Sequence, residues 1–271
     1  MDEAEYDNKT IGLLEHVWGD GFLSPGGPAE VDLIVAKAEL ANKLMLDLGC
    51  GTGGITIHLA KQHKLRRIVG FDVEAPAHVI ARKQLENTRD IDAEIDFVLG
   101  KPGPLPFEDA SFDLVFTKDA LIHVENLDNT LLEVNRVLKP DGIFLGCDWM
   151  ARDKGNLSVE MQSYLESEGF EFAPKTMQDY KNAFESGNFG SIEMTNRNQW
   201  HKGQVKQEIE HIGNTYYSEL VEKFGAQFID DQLNAWNHLS IVSNSGELFP
   251  AHFYCKSDCQ KRLSKAIIKS E

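Results

Sequence analysis

The stretch that most constrains this chain is residues 44–54, which reads Leu-Met-Leu-Asp-Leu-Gly-Cys-Gly-Thr-Gly-Gly. Its first five residues predict a buried strand, its glycines predict a tight turn, and a helix is expected to begin around Gly53. Glycine permits the positive φ angles of such a turn and leaves no Cβ between the backbone and a ligand. A second strand, residues 67–72, ends in Asp72, where a carboxylate can accept hydrogen bonds from ribose hydroxyls. The turn and the acid together predict a nucleotide-like ligand.

The glycine spacing separates the known kinds of nucleotide-binding loop. It matches neither G-x-G-x-x-G nor G-x-x-x-x-G-K-[ST], and no lysine follows the turn to hold a phosphate. Asp47 precedes the first glycine, where a carboxylate repels a pyrophosphate and attracts a cationic amino group. The motif D-L-G-C-G-T-G-G resembles motif I of the class I S-adenosylmethionine (SAM) methyltransferases. The alternative is a strand-to-helix turn that binds no ligand.

The rest of the pattern alternates strands and helices, which is typical of an α/β fold with a mostly parallel sheet. The motif I resemblance makes this a Rossmann-like methyltransferase fold, with seven strands, helices on both faces and helical cap insertions. Further strands are expected at 94–99, 112–117, 143–148, 191–195 and 248–255, and helices at 77–88, 126–138, 175–187 and 204–240.

Two segments, 151–173 and 197–247, predict caps inserted into one sheet domain. We therefore divide the chain into four parts. They are an N-terminal lid segment (1–30), a SAM-binding core (31–150), the rest of the sheet with its substrate caps (151–259) and a basic tail (260–271).

The composition limits the expected partners. The formal net charge is −16, and such a surface repels nucleic-acid phosphates and anionic lipid. No apolar run is long enough to span a bilayer, and the acidic N-terminus has no signal-peptide pattern, which predicts a cytoplasmic protein. The four cysteines are far apart except for Cys255 and Cys259, so they predict reduced thiols and no metal site.

The carboxyl ends of parallel strands are where ligands bind in open α/β sheets. Lys118, Asp119 and His123 crowd the end of the fourth strand, and Asp148 and Trp149 end the fifth. A histidine here can accept a proton at physiological pH. The alternative is that the histidine and the acid cap the next helix. An aromatic and glycine-rich loop, residues 17–27, could pack over a sulfonium cation or could anchor an N-terminal helix.

These motifs, taken in order along residues 6–150, resemble the phosphoethanolamine N-methyltransferase family. The resemblance rests on the glycine turn with its acid, on G-D-G-F-L-S-P-G-G, on K-D-A-L-I-H and on the Asp-Trp pair. It implies a SAM-binding α/β fold and methyl transfer to an amine nitrogen. By resemblance, Leu23 and Ser24 line the SAM pocket, Gly49 and Gly51 flank the methionine part, and Asp72 holds the ribose.

The same resemblance assigns the reacting end of the site. Lys118 stands where the family has arginine, Asp119 contacts the substrate amine, and His123 pairs with an N-terminal tyrosine to form a catalytic latch. Tyr6 lies at about the expected distance before the G-D-G loop. Asp119 and His123 are expected to orient the amine and accept its proton, while Tyr6 closes over both ligands as a lid.

Two departures from the family pattern bear on the ligands. Lys101 stands where the family has an aspartate for the adenine amino group, so backbone groups or a shifted loop must hold adenine. The family binds its phosphate with an arginine and several tyrosines, but here the stretch reads Gly-Phe-Glu-Phe at 169–172. Phenylalanine cannot bind a phosphate and glutamate repels one. We expect Trp149, Phe170 and Phe172 to contact a small acceptor without phosphate.

The sequence thus predicts a SAM-dependent methyltransferase acting on the nitrogen of a small amine or zwitterionic metabolite. Trp149, Phe170, Phe172, Trp200 and Trp236 could form an aromatic cage for a methylated ammonium, or could be core residues. The alternatives are transfer to sulfur or oxygen, a SAM-binding protein without catalysis, and a Rossmann dehydrogenase, which the glycine spacing disfavours. The pattern predicts neither the acceptor nor an oligomeric state.

Overall fold

A computed structural model describes residues 7–169 and 174–258 of the chain. Three predicted site residues, Tyr6, Phe170 and Phe172, lie outside the described residues, as does the tail 260–271. The strands are β1 (Leu44–Leu48), β2 (Arg67–Asp72), β3 (Glu94–Leu99), β4 (Phe112–Lys118), β5 (Leu138–Ala151), β6 (Phe189–Asn196) and β7 (Leu248–Ser257). They form one seven-stranded sheet in the order β3-β2-β1-β4-β5-β7-β6.

The first five strands run parallel, and β7 is antiparallel to both of its neighbours, β5 and β6. The helices are α1 (Asn8–Trp18), α2 (Gly27–Val35), α3 (Gly54–Gln62), α4 (Ala75–Asn87), α5 (Leu127–Val137), α6 (Val159–Ser167), α7 (Met177–Ser186), α8 (Asn198–Glu210), α9 (Tyr217–Phe224) and α10 (Ala226–Ser245). The predicted α/β fold with a mostly parallel seven-stranded sheet is confirmed.

Local sequence explains where several helices begin. The side chain of Asp7 accepts hydrogen bonds from the backbone N–H groups of Lys9 and Thr10 at the start of α1. Thr176 and Asp179 form a reciprocal capping box at the start of α7. Such caps satisfy backbone donors that have no partner inside the helix.

Most of the buried apolar residues that the structure describes fall into three clusters. Two include residues of the central strands, and the larger of them contains Phe144, Phe184 and Phe253. The third joins α1 to α6 and to α8, α9 and α10, and it contains residues such as Leu13, Tyr164 and Trp236. Helix α10 packs directly on α6 and α8. Both segments that were predicted as caps therefore contribute to one apolar cluster. The proposed division of the chain into four parts stays a prediction.

Strand β5 is longer than expected, because it begins at Leu138 instead of residue 143. Leu138 pairs with Phe112, and the register with β4 shifts before Leu114 pairs with Ile143. The segment 139–142 is locally irregular within the strand, since Asp141 has a positive φ of 59°.

Within residues 7–169 and 174–258, none of the helices combines the length and the hydropathy that crossing a bilayer requires.

Candidate active site

The site lies beside β1, where the order of strand addition changes from one side of the sheet to the other. Strand β1 lies between β2 and β4, so the segments that follow these three strands meet at one edge. This is the switch point at which open α/β sheets bind ligands. The glycine turn follows β1, Asp72 ends β2, and Lys118 ends β4.

The glycine turn adopts the conformation that its sequence predicts. Gly49, Gly51 and Gly53 have φ angles of 77°, 51° and 87°, which side-chain-bearing residues rarely adopt. A Cβ on Gly49 would collide with the side chain of Ala120, just after β4. The turn therefore needs glycine both for its backbone angles and for its close approach to the β4 end.

Asp72 fixes the turn from the neighbouring strand. Its Oδ2 accepts a hydrogen bond of 2.7 Å from the N–H of Gly51, and its Oδ1 accepts one of 2.9 Å from the N–H of Glu74. A carboxylate has about four acceptor positions, so these two bonds leave capacity for hydroxyl donors. Its predicted contact with ribose stays a prediction.

The loop that carries Leu23 and Ser24 packs backbone against backbone on the start of α3. A Cβ on Gly54 would collide with the backbone of Gly21, and a Cβ on Gly21 would lie 2.7 Å from the Cα of Gly54. The hydroxyl of Thr52 also donates a 3.1 Å hydrogen bond to the carbonyl of Gly21. The loop is thereby fixed against the glycine turn.

Lys118 connects this loop to Asp119. Its Nζ donates hydrogen bonds of 2.8 Å to Ser24 Oγ and of 2.8 Å to Asp119 Oδ2. Burial is the largest single influence and lowers the pKa of Lys118, but the charge and hydrogen bond of Asp119 act together with more distant groups, and the net effect is a raised pKa. The lysine is therefore a buried cation that holds one oxygen of Asp119.

Asp119 has two features of a residue that is held for function. Its φ is 57°, in the left-handed region that is uncommon for residues other than glycine. Its Oδ1 is buried and has no hydrogen-bond partner among residues 7–169 and 174–258. Because buried polar atoms are almost always hydrogen-bonded, an oxygen of this kind suggests that a ligand donates to it.

A cavity of about 210 Å³ lies beside this carboxylate. Aromatic side chains form much of its wall, and its polar lining includes two carboxylates and an imidazole. Among the described residues, no lysine or arginine lines it. The aromatic lining residues are Trp18, Trp149, Tyr164 and Trp236, and the ionisable ones are Asp119, His123 and Glu168 together with Tyr164.

Glu208, which does not itself line the cavity, accepts hydrogen bonds from two of these indoles. Its Oε1 accepts a hydrogen bond of 2.6 Å from Trp18 Nε1, and its Oε2 accepts one of 3.0 Å from Trp236 Nε1. The ring centroids of the two tryptophans are 6.0 Å apart. Burial raises the pKa of Glu208, although the hydrogen bonds from the two indoles oppose this. One buried carboxyl group thus fixes two walls of the cavity.

Trp149 is held in a similar way by His201. Their ring centroids are 4.9 Å apart with the planes nearly perpendicular, and His201 Nδ1 lies 2.9 Å from Ser243 Oγ. Burial lowers the pKa of His201 to about 4, so this imidazole is neutral at physiological pH. A neutral ring lets the cavity wall stay apolar.

His123 belongs to a short 3-10 turn, Leu121–His123, that Asp148 fixes. The fully buried Asp148 accepts hydrogen bonds of 2.7 Å from the N–H of Leu121 and of 2.7 Å from its own neighbour, Trp149. Burial and the charge of Asp119 raise the pKa of Asp148 to about 7, while the charge of His123 opposes the shift. Asp148 therefore positions His123.

Asp47 lies away from this cavity. Its carboxylate is 1% exposed and accepts a 2.6 Å hydrogen bond from the hydroxyl of Thr56 in the first turn of α3. Burial raises the pKa of Asp47 to about 7. In this arrangement the carboxyl group links β1 to α3 through Thr56, and its predicted contact with an amino group stays a prediction.

The structure brings six residues that the sequence singled out together around the cavity, namely Leu23, Ser24, Asp119, His123, Trp149 and Trp236. Lys118 contacts two of them from the core. Gly49, Gly51 and Asp72 form the neighbouring turn. Lys101 is exposed after β3. Their individual roles stay predictions, as do those of Tyr6, Phe170 and Phe172.

Sequence reasoning missed Trp18 as part of the cavity wall, and it missed Glu208 entirely. It also missed an exposed apolar pair beside Asp72. Val73 is 40% exposed and Leu99 is 46% exposed, and Leu99 is the register partner of Asp72. The sequence did show this pair, because each hydrophobic residue stands at the end of a predicted strand.

Comparison with known proteins now identifies the class. Residues 46–146 match the model of a family described as a methyltransferase domain. The chain carries a class I SAM-dependent methyltransferase domain. This match begins in β1 and ends in β5, so it includes the glycine turn, Asp72 and Asp119. It confirms the predicted class of enzyme, and SAM is the cofactor of that class.

The methyltransferase domain resembles the phosphoethanolamine N-methyltransferases, as predicted. The chain is 24% identical over 254 residues to the Triticum aestivum phosphoethanolamine N-methyltransferase, covering 91% of this chain and 48% of that protein. It is 24% identical over 195 residues to the Plasmodium falciparum phosphoethanolamine N-methyltransferase, covering 71% of each. The chain thus spans about half the length of the wheat relative.

Solved structures share the fold. Haemonchus contortus phosphoethanolamine N-methyltransferase 2, solved in complex with S-adenosylmethionine, superposes with a TM-score of 0.85 at 23% identity, covering 95% of this chain and 59% of that one. A protein from Galdieria sulphuraria superposes with a TM-score of 0.80 at 16% identity, covering 93% of this chain and 98% of that one. The cap helices as well as the sheet therefore have counterparts in known folds.

Proposed function

We propose that this methyltransferase transfers a methyl group from SAM to the nitrogen of a small amine or zwitterionic metabolite that carries no phosphate. The observation that carries the proposal is the buried Oδ1 of Asp119. None of the described residues donates a hydrogen bond to it, and Asp119 lines a cavity walled by indoles. An acceptor amine can donate a hydrogen bond to that oxygen.

The residues around the glycine turn suit SAM. The turn lacks Cβ atoms where a ligand would approach, and Asp72 keeps acceptor positions for ribose hydroxyls. Val73 and Leu99 offer an apolar surface at the next strand ends, which supports adenine binding there in spite of Lys101. SAM supplies a methyl group that its sulfonium already makes electrophilic.

The protein's own contribution is to position the acceptor and to exclude water. An amine must be unprotonated to attack, so a group that accepts a hydrogen bond from it also directs its lone pair. Asp119 supplies that acceptor, and His123 supplies a base for the proton that leaves the nitrogen after transfer. The walls formed by Trp18 and Trp236 keep water away from the reacting nitrogen.

The charge of the cavity argues against a phosphorylated acceptor, although the named relatives are phosphoethanolamine N-methyltransferases. Binding a phosphate group requires cationic hydrogen-bond donors or several neutral ones, and arginine provides the best geometry for phosphate oxygens. The described lining has no such cation, and the carboxylates of Asp119 and Glu168 repel a phosphate. An amine with an uncharged or zwitterionic remainder suits these walls better.

The proposal is tested by incubating the protein with SAM labelled in its methyl group and a panel of acceptors. The panel contains phosphoethanolamine, ethanolamine, sarcosine, an apolar secondary amine, a thiol and a carboxylic acid. Product mass spectrometry identifies the methylated atom. We expect N-methylation of an unphosphorylated amine, and loss of turnover with retained SAM binding in His123→Ala.

Each outcome has a definite meaning. Preferred methylation of phosphoethanolamine would contradict the proposal that the acceptor carries no phosphate. Methylation of sulfur or oxygen would contradict the proposal that nitrogen accepts the methyl group. SAM binding without any product from the panel or from a metabolite extract would favour a non-catalytic SAM-binding protein. The expected cytoplasmic location, the lack of a nucleic-acid partner and the lid role of Tyr6 stay predictions.

A further inference from the structure

Three potential metal ligands converge on the surface between α2 and α3. They are Asp32 in α2, His58 in α3, and His63, which is the C-terminal cap of α3. Both imidazoles point their Nε2 atoms at the same carboxylate oxygen. The distances to Asp32 Oδ1 are 2.8 Å from His58 and 2.9 Å from His63.

The geometry is close to that of a metal site. One ligand atom from each residue lies within 4.8 Å of the others. In a tetrahedral zinc site with bonds of 2.0–2.1 Å, neighbouring ligand atoms are roughly 3.3 Å apart. Each imidazole nitrogen would move away from Asp32 Oδ1 by about 0.4–0.5 Å, and the ligand atoms of the two histidines, which lie within 4.8 Å of each other, would adopt the same separation of roughly 3.3 Å.

The two histidine rings are packed before any ion binds, and both are hydrogen-bonded to Asp32. His58 packs its ring edge-on against Phe22, with the centroids 5.9 Å apart, and Phe22 is buried. The rings of His58 and His63 lie 6.3 Å apart and nearly perpendicular. Side chains that are already ordered lose little entropy on binding an ion, which favours affinity.

We infer that Asp32, His58 and His63 form a binding site for a divalent zinc ion, with water at the fourth position. Two imidazoles and one carboxylate suit Zn²⁺, whereas Mg²⁺ and Ca²⁺ prefer oxygen ligands alone. The partial exposure of all three side chains leaves room for the water. Within the described residues, this is the one place where three His, Cys, Asp or Glu side chains could share an ion.

The position of the site indicates a structural role. None of the three residues lines the acceptor cavity. Helix α2 begins just after the loop that carries Ser24, and α3 begins just after the glycine turn. An ion shared by the two helices would therefore tie together the two segments that precede them. Stabilisation of the fold, and not methyl transfer, is the expected effect.

The competing interpretation is that the imidazoles simply donate hydrogen bonds to Asp32. Asp32→Asn separates the two interpretations, because an amide oxygen still accepts those hydrogen bonds but is a far poorer ligand for zinc. His63→Ala removes one ligand outright. The matched control is His78→Ala in α4, which removes a histidine outside the cluster.

The experiment uses the whole chain, stripped of metal with a chelator and dialysed. Zn²⁺ is titrated in competition with a chromogenic chelator, with Mg²⁺ as a second probe, and thermal unfolding is followed with and without Zn²⁺. We expect one Zn²⁺ per chain and a raised Tm for the wild type and for His78→Ala. Asp32→Asn and His63→Ala should lose at least about tenfold in affinity, since even loss of a ligand's supporting hydrogen bond costs 10–100-fold.

Several outcomes would overturn the inference. They are absence of stoichiometric Zn²⁺ binding, equal affinity in wild type and His63→Ala, and equally tight binding of Mg²⁺. Circular dichroism of each metal-free variant checks that it is folded, so that a lost ion is not mistaken for a lost fold. SAM affinity and turnover are separate readouts, and their failure would bear on the proposed function instead.

Discussion

The Nζ of Lys118 lies 2.8 Å from Oδ2 of Asp119, and this one contact gives the two oxygens of the carboxylate different surroundings. Oδ2 is held by a buried cation, while Oδ1 is buried without a partner in the part of the chain that the structure describes. The backbone of Asp119 lies in the left-handed region, which costs energy for a residue other than glycine. A carboxylate held in this way is ready to accept one hydrogen bond from a ligand.

Asp119→Asn should lower kcat by about 10²-fold or more, the range expected for loss of a group that acts in acid–base catalysis. An amide keeps the size of the side chain but brings an N–H₂ group, which cannot accept a hydrogen bond from the amine. SAM affinity should change little, because the glycine turn and Asp72 are untouched. Turnover and calorimetric SAM binding measure the two effects.

The opposite pattern would contradict this role of Asp119. If the variant loses SAM affinity while bound SAM still reacts at the wild-type rate, the carboxylate serves the cofactor and not the acceptor. Asp128→Asn, which changes an exposed aspartate in α5, is the matched control and should leave both quantities unchanged.

Glu208→Gln should raise KM for the acceptor with little change in SAM affinity. The carboxylate accepts from both Trp18 Nε1 and Trp236 Nε1 on different oxygens, whereas glutamine has one acceptor oxygen. One indole would then face an N–H₂ donor, and an unsatisfied buried donor costs about 1–3 kcal/mol.

Steady-state kinetics and urea unfolding measure the two consequences of Glu208→Gln. The exposed Glu222 in α9 provides the control substitution, Glu222→Gln. A Glu208→Gln variant with the wild-type acceptor KM would show that the positions of Trp18 and Trp236 do not limit acceptor binding.

The parts of the site that the sequence predicted are local in the chain. The glycine turn needs positive φ angles at three nearby positions, and that requirement is visible as a glycine spacing. Asp72 and Asp119 each follow an apolar strand, so the α/β alternation is enough to place them at the same edge. Residue spacing alone carries this information.

The remainder depends on contacts between distant parts of the chain. Trp18 and Glu208 are 190 residues apart, and Asp32 and His58 are 26 apart, so no local pattern joins them. Asp47 shows that a residue's position in a motif does not predict the direction of its side chain. Its position before the glycines suggested a ligand contact, but whether its side chain faces the cavity or Thr56 depends on how α3 packs.

Gly54→Ala should weaken function without changing any side chain of the site. A Cβ at this position collides with the backbone of Gly21, so the loop bearing Leu23 and Ser24 must move. A displacement of about 1 Å can cost about 10²-fold in turnover. Gly203→Ala is the control, because a Cβ there meets nothing within 4 Å in α8.

These two substitutions should have opposite effects on stability. Alanine is favoured over glycine inside a helix by roughly 1 kcal/mol, so Gly203→Ala should raise the free energy of unfolding at wild-type activity. Gly54→Ala should lower it. Wild-type turnover in Gly54→Ala would show that the loop can shift without disturbing the site.

The buried carboxyl group of Asp47 should make the protein less stable as the pH rises toward neutrality. Burial raises its pKa from 3.8 to about 7 in the folded protein. Between about pH 4 and pH 7 the folded protein therefore binds more protons at this site than the unfolded chain does, and the free energy of unfolding falls as pH rises. Above the folded-state pKa, the full energetic cost of burying the ionised carboxylate is present.

Asp47→Asn removes this dependence, because an amide does not titrate and can still accept the hydrogen bond from Thr56. From pH 5 to pH 7 the free energy of unfolding of the variant should fall by about 2 kcal/mol less than that of the wild type. Urea unfolding at pH 5, 6, 7 and 8 measures the slope, with the exposed Asp92→Asn as the control. Parallel pH profiles for the wild type and Asp47→Asn would mean that the carboxyl group is already ionised in the folded protein at pH 5, since only a proton bound preferentially by the folded state produces a difference.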